Sequence, residues 1–323
     1  MEITKDVLNE YELLSPFQNK NAGFSRWTFA VKHHREFFLK EFMNPIYPDD
    51  DSLSEKLRER RIRDCVDYAN RKKKIYEAIG AASDGNLVRI NEFFRCGSHY
   101  YLATKKIDEA GVKLDEIIKE DITSRILLCR GIAHSIMKLH EKGVVHSDLK
   151  DTNILIKRTQ TGMLSGKVID FDCAFFESDP PEDESDLGGD QIYLAPEACM
   201  FLCGEDVKLS CKIDVFSLGL LFHQYLTGML PGFDASEYDY AHEAVLDDKE
   251  LEIAVDIDPL LRELLAKMLL LDQDERIDMK SVFEELGKLV HGDLKEDDLG
   301  NTDSVNSGSS GYSGGYFFEA GDL

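Results

Sequence analysis

The chain is poor in positive charge, in long apolar runs and in paired cysteines. Its 38 Lys and Arg residues stand against 62 Asp and Glu, a net charge of -24 with a pI near 4.7. A surface of that sign repels a nucleic-acid backbone or an anionic membrane and disfavours both as partners. No stretch holds eighteen continuous apolar residues, and Met1-Glu2-Ile3-Thr4-Lys5-Asp6 lacks the apolar run of a signal peptide, so a cytoplasmic protein is expected. The seven cysteines are odd in number and scattered through apolar contexts, which points to reduced core thiols rather than a disulfide framework. Cys199, Cys203 and Cys211 form no CxxC pair, which argues against zinc. What the chain has in quantity is apolar residues, 43% of 323, enough for a substantial core.

Chemistry is concentrated in Val145-His146-Ser147-Asp148-Leu149-Lys150-Asp151-Thr152-Asn153. Taken singly, an Asp in a polar loop is a turn residue. Here Asp148, Lys150 and Asn153 occur together, with Leu149 and Leu155 as an apolar frame. The trio meets the needs of phosphoryl transfer: an acceptor for the nucleophile's proton, a cation for the migrating phosphate and an oxygen ligand for a metal. Seventeen residues after Asn153, Val168-Ile169-Asp170-Phe171-Asp172 delivers a carboxylate at a strand end, suited to a second metal ligand.

Around these loops the pattern changes from strand to helix. Tyr11 to Leu14, Trp27 to Val31 and Phe37 to Phe42 read as a three-strand meander with a polar loop from Gln18 to Arg26. Leu87 to Phe94 and Tyr100 to Thr104, joined by a turn at Cys96-Gly97-Ser98, extend it to an expected five-stranded sheet. Asp49 to Ser52 reads as a helix start, with helix formers from 53 to 80 and a basic run through Arg58, Arg60, Arg61, Arg63 and Arg71 to Lys74 that reads as a solvated face. Ile122 to Lys142 carries apolar residues at helical spacing and ends at Gly143. The stretch from Glu177 to Asp186 is acidic and broken by proline. Apolar periodicity stops near residue 290; a Gly/Ser-rich linker then leads to the aromatic cluster Tyr316-Phe317-Phe318, a segment expected to dock in cis or in trans or to stay loose.

The two loops resemble the catalytic and metal-binding loops of the eukaryotic-type protein kinase family, its Ser/Thr members in particular. Ser147 stands where most members carry Arg, and Asp172 where most carry Gly. The resemblance runs from about residue 13 to 290, with its motifs in family order from Lys40 to Arg276. It implies an α+β, two-lobed fold: a β-rich N-lobe over 1–106, a helical C-lobe over 107–290 and a tail over 291–323. It implies ATP and magnesium as cofactors and a protein substrate. Asp148 would orient and deprotonate the hydroxyl, Lys150 would neutralise the transferring phosphate, and Asn153 and Asp170 would hold magnesium. Lys40 would anchor the nucleotide phosphates beneath a loop containing Asn19, Asn21 and Gly23. That loop has one Gly where the family has three, although Asn tolerates the left-handed turns involved.

Further roles follow only from the resemblance. Thr104 would control access behind the adenine, Lys105 to Ile107 would be the hinge that pairs with the base, and Leu155 would join the nucleotide contacts. Phe38 occupies the place of the small residue that usually roofs the adenine. Glu197 of Ala195-Pro196-Glu197 would pair with Arg276, and Asp214 would hold the catalytic-loop backbone. Counting back from Leu87-Val88 puts Lys72 where the Glu partner of Lys40 is expected, so Glu59, Asp64, Asp67 and Glu77 stay open as partners. Asp190 replaces a Thr that usually bonds the catalytic Asp. Ser147 cannot pair with a phosphate on the activation segment, which implies activity independent of phosphorylation there. Two other readings share parts of the pattern. An aminoglycoside-type small-molecule kinase would share His146 to Asn153 but lack Ala195-Pro196-Glu197; an ATP-binding pseudokinase scaffold would fit the altered glycine loop.

Overall fold

A computed structural model describes residues 6–19, 25–49, 53–83, 85–107 and 111–298. The chain forms two units, Met1–Ser83 with Val88–Ala110, and Asp84–Leu87 with Gly111–Leu323.

The first unit is a sheet with one long helix. Its strands are β1 (Val7–Leu8), β2 (Tyr11–Leu13), β3 (Ser25–Lys32) and β4 (Arg35–Phe42); after the helix α1 (Glu55–Ala82) come β5 (Ile90–Cys96) and β6 (His99–Lys105). The sheet has six strands in the order β1-β2-β3-β4-β6-β5, not the expected five. The extra strand is two residues long, too short to show alternation, and it turns back through Asn9 and Glu10, both left-handed. The β3–β4 hairpin likewise turns on two left-handed residues, His33 and His34, with φ of 50° and 61°. A two-residue hairpin needs that hand to match the strand twist, and here it is achieved without glycine.

Antiparallel register separates the sheet into two faces. On one face Tyr11, Ala30, Phe37, Leu39, Tyr101 and Ala103 close an apolar core, with Leu8, Leu13, Phe17 and Phe94 against it. Glu41 is buried on the same side and is satisfied by Arg26 at 2.6 Å and the Tyr101 hydroxyl at 2.8 Å. On the other face Phe42, Phe93 and Tyr100 pack edge-on or stacked with Tyr68 and Tyr76 of α1. Leu39 is fully buried. We expect Leu39→Ala to lower unfolding free energy by about 2–5 kcal/mol in chemical denaturation, the usual cost of such a cavity.

Helix α1 starts later than the sequence indicated. Asp49 accepts bonds from Arg95 at 3.2 Å and Ser98 at 3.0 Å instead of capping a helix. The buried stripe of α1 is Cys65, Lys72, Ile75, Tyr76, Ile79 and Ala82, while Arg60, Arg61, Arg63, Arg71, Lys73 and Lys74 are exposed. Lys72 is therefore an exception to the solvated basic face, because helical phase turns it to the side of Ile75 and Ile79, and Arg58 is half-buried as well.

The second unit is mainly helical. In order it contains α2 (Leu114–Ile117), α3 (Ile122–His140), β7 (Val144–Val145), β8 (Ile154–Arg158), β9 (Leu164–Val168), β10 (Phe175–Phe176), α4 (Pro196–Leu202), α5 (Lys212–Thr227), α6 (Ala241–Leu246), α7 (Pro259–Met268) and α8 (Met279–Asp298). Asp121 caps α3 by accepting the Ser124 N–H at 2.8 Å. A Cβ on Gly166 of β9 would lie 2.8 Å from the Ile132 side chain, so glycine lets the hairpin close onto α3. Helix α5 is buried nearly all round, as its apolar sequence demands. Helix α8 runs to Asp298, past the end of apolar periodicity near 290, through a stretch that includes the good helix formers Leu, Lys and Glu. Among the described residues no helix is long and apolar enough to cross a membrane. The tail from residue 299 onward lies outside the described residues.

Candidate active site

In the second unit the site begins where α3 ends. The chain reverses at Gly143, with φ of 67°, and enters β7, which pairs antiparallel with β10: Val145 faces Phe175 and Val144 faces Phe176. The loop after β7 is held from below by Asp214, near the start of α5 and fully buried. Its Oδ2 accepts the His146 N–H at 2.8 Å and the His140 Nε2 at 2.9 Å, and its Oδ1 accepts the Ser147 N–H at 2.9 Å. Two backbone donors on one buried carboxylate fix the plane of the loop, and charge-assisted bonds of this kind are the strong ones. Ser147 is left-handed, with φ of 62°, a conformation the Asp214 bond holds in place.

That turn points Asp148 at its partners. Lys150 Nζ lies 3.0 Å from Asp148 Oδ2 and 3.1 Å from Oδ1. Asn153 Nδ2 donates to the Asp148 backbone oxygen at 2.8 Å and to its Oδ2 at 2.9 Å. With the amide nitrogen committed, Oδ1 is the Asn153 atom suited to a hard cation. Burial opposes the charge on Lys150, but the hydrogen bond and charge of Asp148, followed by the charges of Asp190 and Asp170, outweigh it and hold its pKa above the ordinary lysine value. Lys150 is thus a cation set among three carboxylates.

Asp170 reaches this neighbourhood through the β8–β9 hairpin. Ile154 pairs with Val168, and the next residue, Ile169, donates its N–H to the Asn153 carbonyl at 2.9 Å. Asp170 follows in a left-handed conformation, with φ of 62°. His146, which sequence reading treated only as part of the motif, ties the two loops together. A neutral imidazole protonated on Nε2 donates to the Ile169 carbonyl at 3.0 Å, while its Nδ1 accepts the Asp148 N–H at 3.3 Å. The ring also packs on Phe171 with centroids 4.7 Å apart. Leu155 of β8 is half-buried and faces Lys167 across the hairpin.

The start of the segment after Asp170 is tied down by neutral groups. Ser147 Oγ donates to the Cys173 carbonyl at 2.8 Å, and the Glu177 N–H donates to Gly143 at 2.8 Å. Asp190 Oδ1 accepts the Ile192 N–H at 3.1 Å. Tyr193 is buried, its hydroxyl on Gln224 at 3.1 Å and its carbonyl on Ser217 at 2.7 Å. Glu197 forms a two-pronged pair with Arg276 at 2.7 and 3.0 Å, both side chains buried.

In the first unit Lys40 and Thr104 are both buried. Lys40 faces Trp27 on β3 and Leu102 on β6, and Phe38, two residues earlier on the same face, is opposite Thr104. At the end of β6, the N–H of Lys105 donates to the Arg89 carbonyl at 3.4 Å and that of Lys106 to the Glu36 carbonyl at 3.2 Å, with Ile107 following. Asn19 sits just before β3, whereas Asn21 and Gly23 lie outside the described residues. Glu59, Asp64, Asp67 and Glu77 of α1 are all exposed.

Comparison with known proteins agrees with this architecture. A family model described as "Protein kinase domain" matches residues 55–286. Curated relatives include the serine/threonine-protein kinase ULK3 of Xenopus laevis, 29% identical over 54% of this chain and 36% of its own length. Calcium-dependent protein kinase 4 of Plasmodium falciparum is 29% identical over 62% of this chain and 37% of its length, and serine/threonine-protein kinase unc-51 of Caenorhabditis elegans is 28% identical over 65% and 25%. The chain therefore spans roughly a third or less of the length of these relatives. Among solved structures, the Cydia pomonella granulovirus kinase PK-1 superposes with a TM-score of 0.58 at 17% identity, over 86% of this chain and 93% of that one, and speaks for the fold. With the family model covering most of its length, this chain belongs to the protein kinase domain family, and its fold is the α+β protein-kinase fold.

Proposed function

We propose that the chain is an ATP-dependent protein kinase that transfers the γ-phosphate to a Ser or Thr hydroxyl. The observation that carries this reading is the Asp148 carboxylate, fixed between Lys150 and Asn153 on a loop whose backbone is anchored by buried Asp214. Such a carboxylate can orient a hydroxyl and take its proton, while Lys150 offsets charge on the transferring group. Asn153 Oδ1 and the Asp170 carboxylate are hard oxygen donors that fit magnesium, which when bound supplies charge neutralisation at the phosphates. Lys40, buried in its sheet, is suited to anchoring the phosphates, with Thr104, Leu155 and the Lys105 to Ile107 segment as further nucleotide contacts. The N–H groups of Lys105 and Lys106 are already used, so a base edge read at this segment would meet the Ile107 N–H or a carbonyl.

The test is incubation with labelled ATP and magnesium, scoring autophosphorylation, a generic protein and an aminoglycoside. Label on protein is the expected result. Label on the aminoglycoside alone would make the chain a small-molecule kinase, and no label anywhere would leave a scaffold.

The same reading includes independence from phosphorylation of the segment between Asp170 and Glu197. Ser147 already spends its hydroxyl on the Cys173 carbonyl, and the β7–β10 pair and the Glu177 to Gly143 bond order the start of that segment without any phosphate. Phosphatase-treated protein is expected to keep its rate within about twofold, since Ser147 offers no cation for a charge-assisted bond to a phosphate. A tenfold fall on treatment, restored by rephosphorylation, would refute it. The aromatic tail is proposed to engage its own domain or a partner; deleting residues 300–323 and comparing activity and partner capture tests that.

A further inference from the structure

We infer that Cys199 and Cys203 form a redox site, a pair of thiols that hydrogen peroxide closes into a disulfide across the last turn of α4. Its chemistry is separate from phosphate transfer. Cys199 is half-buried within α4, and the exposed Cys203 is the residue that ends the helix. The two stand one turn apart on the same side, and the Cys203 N–H donates to the Cys199 carbonyl at 3.0 Å. Their thiols already share a hydrogen bond. Helix geometry puts Cα atoms at this spacing about 6.2 Å apart, inside the range of about 4.4–6.8 Å that a disulfide spans. The Cβ atoms are about 5–6 Å apart, wider than the roughly 3.8 Å of a disulfide, so one end has to yield. Cys203 is the end that yields: its φ and ψ, -87° and 3°, have left the helix, and its N–H is shared with the Met200 carbonyl at 3.1 Å.

The surroundings choose the oxidant and the order of events. Burial, then Cys203 and the carboxylates of Glu243 and Glu205, push the Cys199 thiol up to about 11. Exposed Cys203 therefore meets the oxidant and Cys199 resolves it, since reactivity follows thiolate character and access. The same carboxylates repel an anionic disulfide such as oxidised glutathione, whereas a neutral peroxide approaches freely. Cys203 sulfur attacks hydrogen peroxide, the O–O bond breaks, and a sulfenic acid forms as one water leaves. Cys199 sulfur then attacks that sulfur, the S–O bond breaks, and the hydroxyl departs with the Cys199 proton as a second water. Two thiols are oxidised and one peroxide is reduced. Gly204 follows directly in a left-handed conformation, with φ of 85°, and Glu184 Oε1 lies 3.2 Å from where its Cβ would stand. Closure therefore acts on the turn that faces the acidic stretch around Glu184.

The full chain, reduced and then freed of reductant, is treated with hydrogen peroxide in native buffer and followed by intact mass and by tandem mass spectrometry of the peptide that holds both residues. The expected product has lost about two mass units, with the link placed between Cys199 and Cys203, and a dithiol reductant restores the starting mass. Cys199→Ser is expected to stop at a Cys203 sulfenic acid that a dione reagent traps, and Cys203→Ser to lower link formation at least about tenfold. Oxidised glutathione is expected to close the link about tenfold or more slowly than the dicationic disulfide cystamine, with salt narrowing the gap. Oxygen added at Cys203 with no link in the parent chain, a link between chains, or the same yield of link in Cys199→Ser overturns the pair. Equal rates with the two disulfides overturn the part given to the carboxylates. If Cys199→Ser does not fold, the parent chain and Cys203→Ser, altered at an exposed position, decide the matter.

Discussion

Asp148→Asn is expected to lower the rate of phosphate transfer by about 10²-fold or more, the usual contribution of a positioned general base, with nucleotide affinity nearly unchanged. The amide keeps the shape of the carboxylate but cannot accept a proton, and it removes the counter-charge that Lys150 meets at 3.0 Å. It also faces the Asn153 Nδ2, which now donates to Asp148 Oδ2. One amide oxygen can still accept that bond, so the loop should keep its geometry; the Asp214 bonds to the His146 and Ser147 N–H groups do not involve the Asp148 side chain. Single-turnover transfer together with equilibrium nucleotide binding separates the two effects. A variant that retains a tenth or more of the parent rate would remove Asp148 from the chemistry. Loss of nucleotide binding in step with rate would mean that the loop had collapsed.

Arg276→Met is expected to cost about 3–5 kcal/mol of stability in the second unit, the penalty for leaving a buried carboxylate without its partner. Arg276 is almost completely enclosed and donates to both oxygens of Glu197, to Lys212 O at 2.8 Å and to Leu270 O at 2.8 and 3.0 Å, with its guanidinium over the Phe216 ring. Methionine fills much of the volume but satisfies none of these acceptors. Chemical denaturation of Arg276→Met, Glu197→Gln and the double variant forms a cycle, in which the second substitution should cost far less than it does alone. A single-variant loss below about 1 kcal/mol would show that the pair adds little beyond packing. Arg276→Lys should recover only part of the loss, because an ammonium cannot reproduce the two-pronged geometry.

Legibility in the sequence followed locality. Asp148, Lys150 and Asn153 are near neighbours in the chain, and their meeting needs only a turn. The strand end that delivers Asp170 was read from Val168-Ile169, but not its pairing with Ile154–Arg158, which carries Asp170 back to Asn153. The Phe38 ring was visible as a bulky residue in an unusual place, but its stack with Trp27 depends on the β3–β4 register, set by a turn of two left-handed histidines that no glycine announced. Lys72 was read both as standing where the partner of Lys40 is expected and as part of a basic run with a solvated face; helical phase buries it.

From sequence alone came the change from strand to helix patterns and the identity of the charged groups, because period-2 and period-3.6 patterns and short spacings are written into neighbouring residues; the α+β class and the order of the motifs came through the family resemblance. Apart from the pairings that the resemblance implied for Asp214 with the loop backbone and for Glu197 with Arg276, tertiary structure alone decided which of those groups became partners. His146 reaches both the Ile169 carbonyl and the Asp148 N–H. Ser147, a small residue where a cation was expected, found the Cys173 carbonyl. Burial is the physical reason: a buried polar group must be satisfied by whatever the packed chain brings within about 3 Å, and only the assembled fold selects that neighbour.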